Sequence, residues 1–288
     1  MIKELEFFFR SQKQKRVDVV SGKHTRAVAR QLQSLLIKKG YVCHLYQKPP
    51  LIAKDHMYII FAPQIYKKLP RNYCVYQVEQ LTYDYCNTEA YHEILNKACA
   101  IFDYAKVNWE YLNRDDRLHG RVYYLPFDVN KDLLQRTAYE PEKKYDILFY
   151  GATSSERRKK YFTAIRSNYS LKVINDLFGE RLFRELKKAR IIVNIHYKDH
   201  AILETCRLTE VLALGNSIVI SEESVDQELD MGFAPYVEFV PEGDEEKMVN
   251  RIQTILNERE RIPERIQRNR EKLLAKDDLF LKYAMEYF

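Results

Sequence analysis

The chain has 288 residues, a length that predicts about two domains, and its 46% hydrophobic, 31% charged composition excludes a disordered protein. Its eight glycines and nine prolines exclude collagen-like repeats and phosphate loops built from repeated glycines. The formal net charge of +6 is a mild excess that we interpret as spread over the whole chain, which suits an anionic small molecule or a membrane surface better than a dedicated nucleic-acid-binding role.

The first half of the sequence alternates short apolar runs with helical stretches. Thr25–Lys39 has apolar residues at helical spacing and is followed by Gly40, which predicts a helix. The other predicted helices are Glu89–Lys97 and Val107–Asn113, and the predicted strands are Val17–Val20, Tyr41–Tyr46, Met57–Ala62, Tyr73–Val78, Cys99–Tyr104 and Val122–Leu125. Apolar strands that alternate with helices predict a parallel sheet covered on both faces.

A polar segment from about Asn130 to Lys144 separates this pattern from a second one. The predicted strands of the second half are Tyr145–Tyr150, Leu171–Ile174, Arg190–Ile195, Ser217–Ile220 and Val237–Val240. The predicted helices are Arg157–Arg166, Gly179–Lys188, Cys206–Leu214, Glu245–Leu256, Ile262–Lys272 and Leu279–Phe288. We therefore predict two α/β domains, 1–135 and 136–288, with the last helix free to pack back on the first domain.

The richest group of polar residues follows the predicted strand Arg190–Ile195. In open α/β sheets, ligands bind beyond the carboxyl ends of the strands, so this position is a candidate site. Arg207 and Glu210 are three residues apart near the start of the next helix and share one face of it. A guanidinium beside free helix N–H groups suits a diphosphate, and a carboxylate one turn on can accept both hydroxyls of a ribose. The alternative is an ordinary surface ion pair.

The run R-L-T-E-V-L-A-L-G-N, which begins at Arg207 and is followed by a strand and Ser221-Glu222, resembles the donor domain of "group 1" GT-B glycosyltransferases. The segments V-N-I-H-Y and Y-D-I-L-F-Y-G-A-T-S-S-E-R-R also resemble that domain. The resemblance is specific over about 145–256 and only architectural over 1–130. It implies a GT-B-like α/β fold, two Rossmann-like domains with parallel sheets that face each other across a cleft, and hexosyltransferase-like activity.

The resemblance also implies roles for single residues. Glu210 matches the residue that holds the donor ribose, and Gly215 matches the glycine that closes the helix. Many retaining members of the group carry a further Glu where this chain has Ile202, so the stereochemical outcome stays open. The predicted donor-binding residues are Gly151, Thr153, Arg157, Arg158, Arg207, Glu210, Gly215 and Ser221, and the predicted catalytic residues are His24, Asn194 and His196.

Several of these residues have purely structural alternatives. Arg157 and Arg158, which follow the turn at Gly151, can contact phosphate or stand exposed at the start of a helix. His24 can act as a general base, since imidazole titrates near neutral pH, or it can cap a helix. The carboxylates near the strand ends of the first domain are weaker general-base candidates and are also explained as surface or capping groups; these are Asp18, Glu79 and Asp103.

The sequence predicts neither a metal site nor a cofactor, because no Asp-x-Asp follows a strand and the five cysteines form no CxxC pair. Free thiols and the lack of an apolar run long enough to span a membrane predict a cytoplasmic protein, with peripheral contact to a membrane as an option.

The predicted function is metal-independent transfer of a sugar from a nucleotide-diphosphate donor of UDP or GDP type to a hydroxyl of a glycan, lipid-linked or other acceptor. Two alternatives remain open. One is a GT-B-like module that binds a nucleotide or glycan without transfer. The other is a transferase that acts on DNA bases, although nucleic acid is not the favoured partner.

Overall fold

The computed structural model describes residues 15–50, 56–81, 83–84 and 86–288. Contacts within the chain define two compact units, of which one comprises 1–128 with 277–288 and the other 129–276. The sequence pattern divides the chain after residue 135, whereas the contacts divide it after Asp128. The difference arises because residues 131–136 form a short helix whose Leu134 is buried in the core of the second unit.

The described part of the first unit is built on one parallel sheet. Its strands are β1 (Val17–Val20), β2 (Leu45–Tyr46), β3 (Met57–Phe61), β4 (Tyr73–Gln77), β5 (Ile101–Asp103) and β6 (Val122–Tyr124), and its helices include α1 (Arg26–Lys38), α2 (Glu89–Lys97) and α3 (Lys106–Asn113). The strand order is β2-β1-β3-β4-β5-β6. Strands β1, β3, β4 and β5 are buried along their whole length, as expected for a parallel sheet covered on both faces.

The second unit repeats this architecture. Its strands are β7 (Tyr145–Tyr150), β8 (Leu171–Ile174), β9 (Ala189–Asn194), β10 (Ile218–Glu222) and β11 (Val237–Val240), and its helices are α4 (Lys131–Arg136), α5 (Glu156–Arg166), α6 (Glu180–Leu186), α7 (Thr205–Leu214), α8 (Gln227–Phe233), α9 (Glu245–Asn257) and α10 (Ile262–Ala275). The strands pair in parallel in the order β11-β10-β9-β7-β8. Apolar clusters cover the sheet: one contains Leu208 and Leu212 of α7, and the other contains Tyr161 and Ile165 of α5.

The last helix, α11 (Leu279–Tyr287), belongs to the first unit. The Tyr287 hydroxyl donates a hydrogen bond to the Tyr124 carbonyl oxygen at 2.8 Å. The ring of Phe288 lies 5.4 Å from the ring of Phe102, a fully buried residue of β5. The backbone N–H of Leu279 donates to the Asp128 carboxylate at 2.9 Å. Aromatic packing and hydrogen bonds therefore hold both ends of α11 on the first unit.

The predicted fold class, two α/β units with parallel sheets, is confirmed. The predicted strand over 41–46 is too long, because only Leu45–Tyr46 pairs as a strand and Val42 makes an isolated bridge to Arg16. Helices α4 and α8 were not predicted from the sequence. Both are short and begin at a side-chain cap, Asn130 for α4 and Asp226 for α8, so they offer little periodicity to detect.

Within the described residues, no helix combines the length and apolar character that a membrane span requires. All five cysteines are free thiols. Among them, burial raises the pKa of Cys43 to about 12 and that of Cys74 well above its usual range, so these two side chains behave as small apolar core residues.

Candidate functional site

The candidate site of the second unit lies where the strand order reverses. Strand β8 lies on one side of β7, and the chain then crosses to place β9 on the other side. In such sheets the crevice at the carboxyl ends of the two central strands is the usual ligand position. Gly151 follows β7, residues 195–204 follow β9, and helix α7 begins directly after that loop. The sequence-predicted residues Gly151, Asn194, His196, Arg207 and Glu210 are therefore brought together at one edge of the sheet.

Arg207 lies at the centre of this group. Its Nη1 donates to Oδ1 of Asn194 at 2.9 Å, and its guanidinium carbon lies 5.6 Å from the ring centres of both Phe149 and Tyr150. A Cβ added to Gly151 would lie 3.0 Å from its Nη2. Among the described residues, no acceptor is found for Nε or Nη2 of Arg207. One guanidinium edge is thus fixed by the protein, and the remaining N–H groups are available to an anion.

Glu210 lies one helical turn beyond Arg207 and is partly exposed. The Tyr150 hydroxyl lies 3.3 Å from Oε2 of Glu210 and 2.9 Å from the Arg207 carbonyl oxygen. Burial raises the pKa of Glu210 to about 7, although the hydrogen bond from Tyr150 and the charge of Arg207 act in the opposite direction. Glu210 does not form a direct ion pair with Arg207, so the sequence alternative of a surface ion pair is not observed.

A buried ionic network lies beneath Arg207, and Glu204 is its centre. The Glu204 carboxylate accepts hydrogen bonds from His196 Nδ1 at 2.7 Å, Asn194 Nδ2 at 3.2 Å and Arg158 Nη2 at 3.3 Å. Burial raises the pKa of Glu204, but His196 and the two arginines outweigh burial and hold it well below its usual range. Its carboxylate is therefore ionised, and because its oxygens accept from these three side chains, α7 begins without a side-chain cap.

The hydrogen bonds of His196 define its protonation state. Its Nε2 lies 3.0 Å from the carbonyl oxygen of Glu223, and Nδ1 faces the ionised Glu204. Both neighbours can only accept, so both ring nitrogens carry a proton. Burial lowers the pKa of His196, but the interaction with Glu204 outweighs burial and raises the pKa overall. The imidazolium has no exposed surface and donates from both ring nitrogens, so in this arrangement it does not take a proton from a substrate, and its catalytic role stays a prediction.

Asn194 is also buried, at 1% exposure, and every polar atom of its side chain is engaged. Its amide nitrogen donates to Ser221 Oγ at 2.9 Å and to Glu204, while its oxygen accepts from Arg207. Ser221 is fully buried and donates to the Glu222 carbonyl oxygen. These contacts link both residues to Arg207 in the buried part of the site, and the catalytic role of Asn194 and the donor contact of Ser221 stay predictions.

The two neighbouring arginines of α5 are already occupied. Arg158 is 2% exposed and donates to the carbonyl oxygens of Ile195 and Ala152, at 2.9 and 2.8 Å, besides Glu204. Burial and the nearby charge of Arg207 lower the pKa of Arg158 to about 10. Arg158 is therefore not the exposed cation at a helix start that the sequence left open.

Arg157 pairs with the fully buried Glu222 at 2.5 Å and with Asp199 at 2.6 Å. Glu222 also accepts hydrogen bonds from Tyr161 and from the backbone N–H of Gly243. Burial raises the pKa of Glu222, but Arg157 and the other donors outweigh burial and lower it overall. The Arg157–Glu222 pair joins α5 to the ends of β10 and β11.

The remaining predicted donor residues lie at different distances from this centre. Thr153 is partly exposed in the loop after β7, two residues beyond Gly151. Gly215 ends α7 in the left-handed conformation (φ +55°), and a Cβ there would lie 2.6 Å from Leu134 Cδ1. Since α7 rises by about 1.5 Å per residue, Gly215 is about 15 Å from the start of the helix. Gly215 therefore ends the helix, as the resemblance implies, and its role as a donor contact stays a prediction.

The sequence candidates of the first unit do not form one cluster. His24 is exposed in the turn between β1 and α1, where the strand order of that sheet reverses. Asp18 is fully buried and bound by Arg16, His44 and His56. Asp103 is also buried; burial raises its pKa to about 8, and its carboxylate accepts from the Ala105 N–H at the start of α3.

Glu79 is partly exposed and accepts hydrogen bonds from Gln64 and Cys86. Asp18 and Asp103 are therefore structural carboxylates, and a buried position excludes them as general bases toward a bound acceptor. The side chain of His24 is exposed and that of Glu79 is partly exposed, so both stay general-base candidates.

Sequence reasoning did not place Tyr150, Glu204 or Glu222 among the donor-binding or catalytic residues. Their roles follow from burial and from partners distant in sequence, which a motif cannot show. For Glu204, the available signal is its position at the start of the helix that carries Arg207. For Tyr150, the available signal is its position at the end of an apolar strand, just before Gly151. Among the described residues, no three His, Cys, Asp or Glu side chains are grouped so that they could hold a metal ion.

Comparisons with known proteins show the family and the fold of the chain. A family model described as "Glycosyl transferase-like" matches residues 131–279, just over half of the chain. The uncharacterised protein L138 of Acanthamoeba polyphaga mimivirus is 30% identical over 130 residues, which cover 41% of this chain and 14% of L138. Protein L137 of the same virus is 27% identical over 137 residues, covering 46% of this chain and 18% of L137. The chain thus matches less than a fifth of the length of these curated relatives.

Solved structures share the fold of the whole chain at low identity. An α-glucosyltransferase in complex with UDP-glucose and DNA containing an abasic site has a TM-score of 0.64 at 12% identity, covering 94% of this chain and 99% of its own. WaaG, a glycosyltransferase of lipopolysaccharide biosynthesis, has a TM-score of 0.60 at 11% identity, covering 94% and 98%. T4 phage BGT, in complex with UDP and Mn²⁺, has a TM-score of 0.59 at 10% identity, covering 94% and 97%. The predicted GT-B fold and the resemblance to group 1 glycosyltransferases are confirmed.

Proposed function

The chain belongs to the glycosyl transferase-like family, and we propose that it transfers a sugar from a nucleotide-diphosphate donor to an acceptor hydroxyl without a metal ion. The observation that carries this proposal is Arg207. Its guanidinium is anchored on one edge by Asn194 and stacked beside two aromatic rings, while the other N–H groups have no acceptor among the described residues. Such a preorganised cation suits the charge that grows on a departing diphosphate.

The charged groups near Arg207 support the same role. Arg158 brings a second positive charge close to Arg207, and their mutual repulsion contributes to the lowered pKa of Arg158. An anion bound at Arg207 would relieve that repulsion. The uncapped start of α7 adds N–H groups that favour negative charge. The diphosphate would be stabilised by these cations in place of a divalent metal.

Glu210 is the proposed ribose ligand. Its carboxylate lies one turn from Arg207, as a nucleoside attached to the diphosphate requires, and it is partly exposed. Tyr150 holds one oxygen of the carboxylate, which leaves the other to accept from ribose hydroxyls. In this scheme, Asn194, His196 and Glu204 are positioning residues that act through Arg207. His24 stays the candidate general base, supported by its exposed position at the strand reversal of the first unit.

The acceptor class has two candidates. The relatives by fold include WaaG, which is described as acting in lipopolysaccharide biosynthesis, and glucosyltransferases crystallised with DNA. These names support either a glycan or lipid-linked hydroxyl or a hydroxyl on a DNA base. We place the reaction in the cytoplasm, with peripheral contact to a membrane if the acceptor is lipid-linked; the free cysteines support a reducing compartment.

The test is donor turnover by wild type, Arg207→Ala and Arg207→Lys, with and without EDTA. The donor is first chosen from UDP-, GDP-, CMP- and dTDP-sugars by its thermal shift, since a bound ligand raises the melting temperature. We expect donor hydrolysis to survive EDTA. Arg207→Ala should lower the turnover rate by about 100-fold and weaken nucleoside binding much less, because the charge that Arg207 meets is greatest in the transition state. Arg207→Lys should restore activity only in part, since an ammonium cannot make a bidentate contact.

The matched control is Arg251→Ala, which removes a half-exposed arginine of α9 remote from the site. Its activity should equal that of wild type. Complete loss of turnover in EDTA, restored by Mn²⁺ or Mg²⁺, would overturn metal independence. Donor binding without any hydrolysis or transfer, by a wild type offered both glycan and DNA acceptors, would favour a binding module.

A further inference from the structure

The positive charge of the chain is concentrated in one part of the first unit, contrary to the interpretation drawn from the net charge alone. Residues 15–76 contain twelve Lys and Arg and two Asp, a net charge of +10 in a chain whose total is +6. Within the described residues of that stretch, Asp18 is the only acidic side chain, and it is fully buried. Among its described residues, this stretch therefore contributes cations and no exposed acidic side chain to the surface of β1 to β4 and α1, and Glu79, from the segment after β4, accepts a hydrogen bond from Gln64 there.

Five of the twelve cations of this stretch lie on segments that meet at the edge strand β2. Arg26 of α1 donates to the carbonyl oxygens of Leu45 and Tyr46, so this face of α1 lies along β2. Arg30 follows one turn later and is exposed. Lys48 is exposed two residues after the end of β2. The β2-edge surface is defined here as Arg26, Arg30, Lys48, Lys67 and Lys68.

The connection between β3 and β4 brings the last two of these lysines to the same place. The Tyr66 hydroxyl donates to the carbonyl oxygen of Gln47 at 3.3 Å, which ties this connection to the segment after β2. Lys67 and Lys68 follow Tyr66 directly and are exposed. The cations thus come from three segments that the fold joins, and the sequence alone does not show that they are neighbours.

This surface keeps like charges together without compensation from its own acids. Arg26 and Arg30 are four residues apart on α1, a spacing at which like charges destabilise a helix. Burial lowers the pKa of Arg26, and the charge of Arg30 lowers it further. A row of phosphates bound here would attract all of these cations and so offset their mutual repulsion. Binding would also release the counterions that are condensed on a nucleic acid.

A membrane surface fits these residues less well. Among the residues that the structure describes, the large apolar side chains exposed in this region are separated, because Ile65 lies at the carboxyl end of the sheet whereas Ile37 and Val42 precede β2 at the amino end. Peripheral insertion into a bilayer requires a continuous apolar face beside the cations. We infer that the β2-edge surface of the first unit binds the phosphate backbone of a nucleic acid. As the acceptor surface of a sugar-transfer reaction, this assignment rests on the proposed function.

Binding is tested with a fluorescent 20-base-pair DNA duplex at several salt concentrations, with wild type and the variant Arg30→Gln/Lys67→Gln/Lys68→Gln. The variant should bind about tenfold more weakly, and the slope of log K against log salt should fall by about one for each lysine or arginine that meets a phosphate. The control Lys247→Gln/Arg261→Gln/Arg268→Gln removes the same charge from exposed positions of α9 and α10 and the segment that joins them, and should bind as wild type does.

Two further arms separate the possible failures. In one arm, vesicles of phosphatidylcholine with phosphatidylglycerol replace the duplex. If wild type binds the vesicles but not the duplex, and the variant Arg30→Gln/Lys67→Gln/Lys68→Gln loses the vesicle binding, the inference is overturned in favour of a membrane. In the other, the nucleotide sugar is added alone and its thermal shift is measured. A wild type that binds the sugar but not the duplex would overturn only this inference, whereas a wild type that binds the duplex but no nucleotide sugar would overturn the proposed function. Equal duplex binding by both triple variants would overturn the assignment of the β2-edge surface.

Discussion

At the scale of single residues, the protonation of Glu210 should control donor binding. Burial raises the pKa of this carboxyl to about 7, so it changes charge near neutral pH. The ionised carboxylate accepts from both ribose hydroxyls, whereas the protonated form offers fewer acceptor sites. A charge-assisted hydrogen bond of about 1.5 kcal/mol makes the protonated form bind about tenfold more weakly, so donor affinity should rise by about fivefold between pH 6 and pH 8.

The measurement is the dissociation constant of the nucleotide sugar by calorimetry at pH 6, 7 and 8, since its diphosphate diester does not titrate in that range. Glu210→Gln should bind about tenfold more weakly at pH 8 and show a flat profile. Glu264→Gln, which alters an exposed acid of α10, is the control. A profile in Glu210→Gln as steep as in wild type would show that another group is responsible.

Gly151 tests the placement of Arg207. Its φ of +131° suits glycine, and an added Cβ would lie 3.0 Å from Arg207 Nη2. Gly179 also has a positive φ, +57°, but a Cβ there would meet nothing within 4 Å. Both Gly→Ala variants should lose about 1–2 kcal/mol of stability from backbone strain. Only Gly151→Ala should weaken donor binding, because it displaces the guanidinium.

Thermal unfolding and calorimetric titration of the two variants give the comparison. If both variants bind the donor as tightly as wild type, Arg207 does not meet the donor in the position found here. If Gly179→Ala loses as much affinity as Gly151→Ala, the loss reflects general destabilisation.

At the scale of secondary-structure elements, α11 should stabilise the first unit. Tyr287 is 4% exposed, packs against Phe102 at 5.8 Å between ring centres and donates to the Tyr124 carbonyl oxygen. Tyr287→Ala should lower the free energy of unfolding of this unit by about 3 kcal/mol, through a cavity and an unpaired carbonyl. Met285→Ala, which alters a side chain of the same helix that is 49% exposed, is the control.

The single tryptophan of the chain makes this effect measurable in one unit. Trp109 lies in α3, and its Nε1 donates to the Val122 carbonyl oxygen of β6. Urea unfolding followed by tryptophan fluorescence therefore reports on the first unit. A midpoint in Tyr287→Ala equal to that of Met285→Ala would contradict a stabilising role for α11.

At the scale of the whole molecule, the segment 137–144 joins α4 to β7 and is held by side chains of the second unit. Asn216 is 1% exposed; its Oδ1 accepts from the Glu140 N–H at 2.7 Å, and its Nδ2 donates to the Ala138 carbonyl oxygen at 3.1 Å. The polar composition of 130–144 predicts rapid proteolysis, but these bonds should protect the backbone. Asn216→Ala should therefore speed trypsin cleavage after Lys143 and Lys144 by about tenfold, because the segment then opens locally.

The rates are read by mass spectrometry, with Asn250→Ala, which changes an exposed residue of α9, as the control. Faster cleavage should yield two fragments of similar size. Cleavage at the same rate in Asn216→Ala and in the control would show that Asn216 does not hold the segment.

The sequence by itself determined the parallel α/β architecture, because buried parallel strands are continuous apolar runs and most helices carry apolar residues at helical spacing. It also placed Arg207 and Glu210 together, since three residues on one helix fix their separation. It could not show α4 or α8, which are short and depend on a capping side chain.

Only the tertiary structure decided what the other site residues do. Arg157, Arg158 and His196 look like ligand-binding groups in a motif, yet each is satisfied by a partner 8 to 65 residues away, among them Glu204 and Glu222. The order of the strands and the crossing of the chain after β8 bring those partners together. The same applies to the β2-edge surface, where charges from three segments become one surface. Composition records how many charges a chain has, but burial and packing decide which of them neutralise one another and which remain for a ligand.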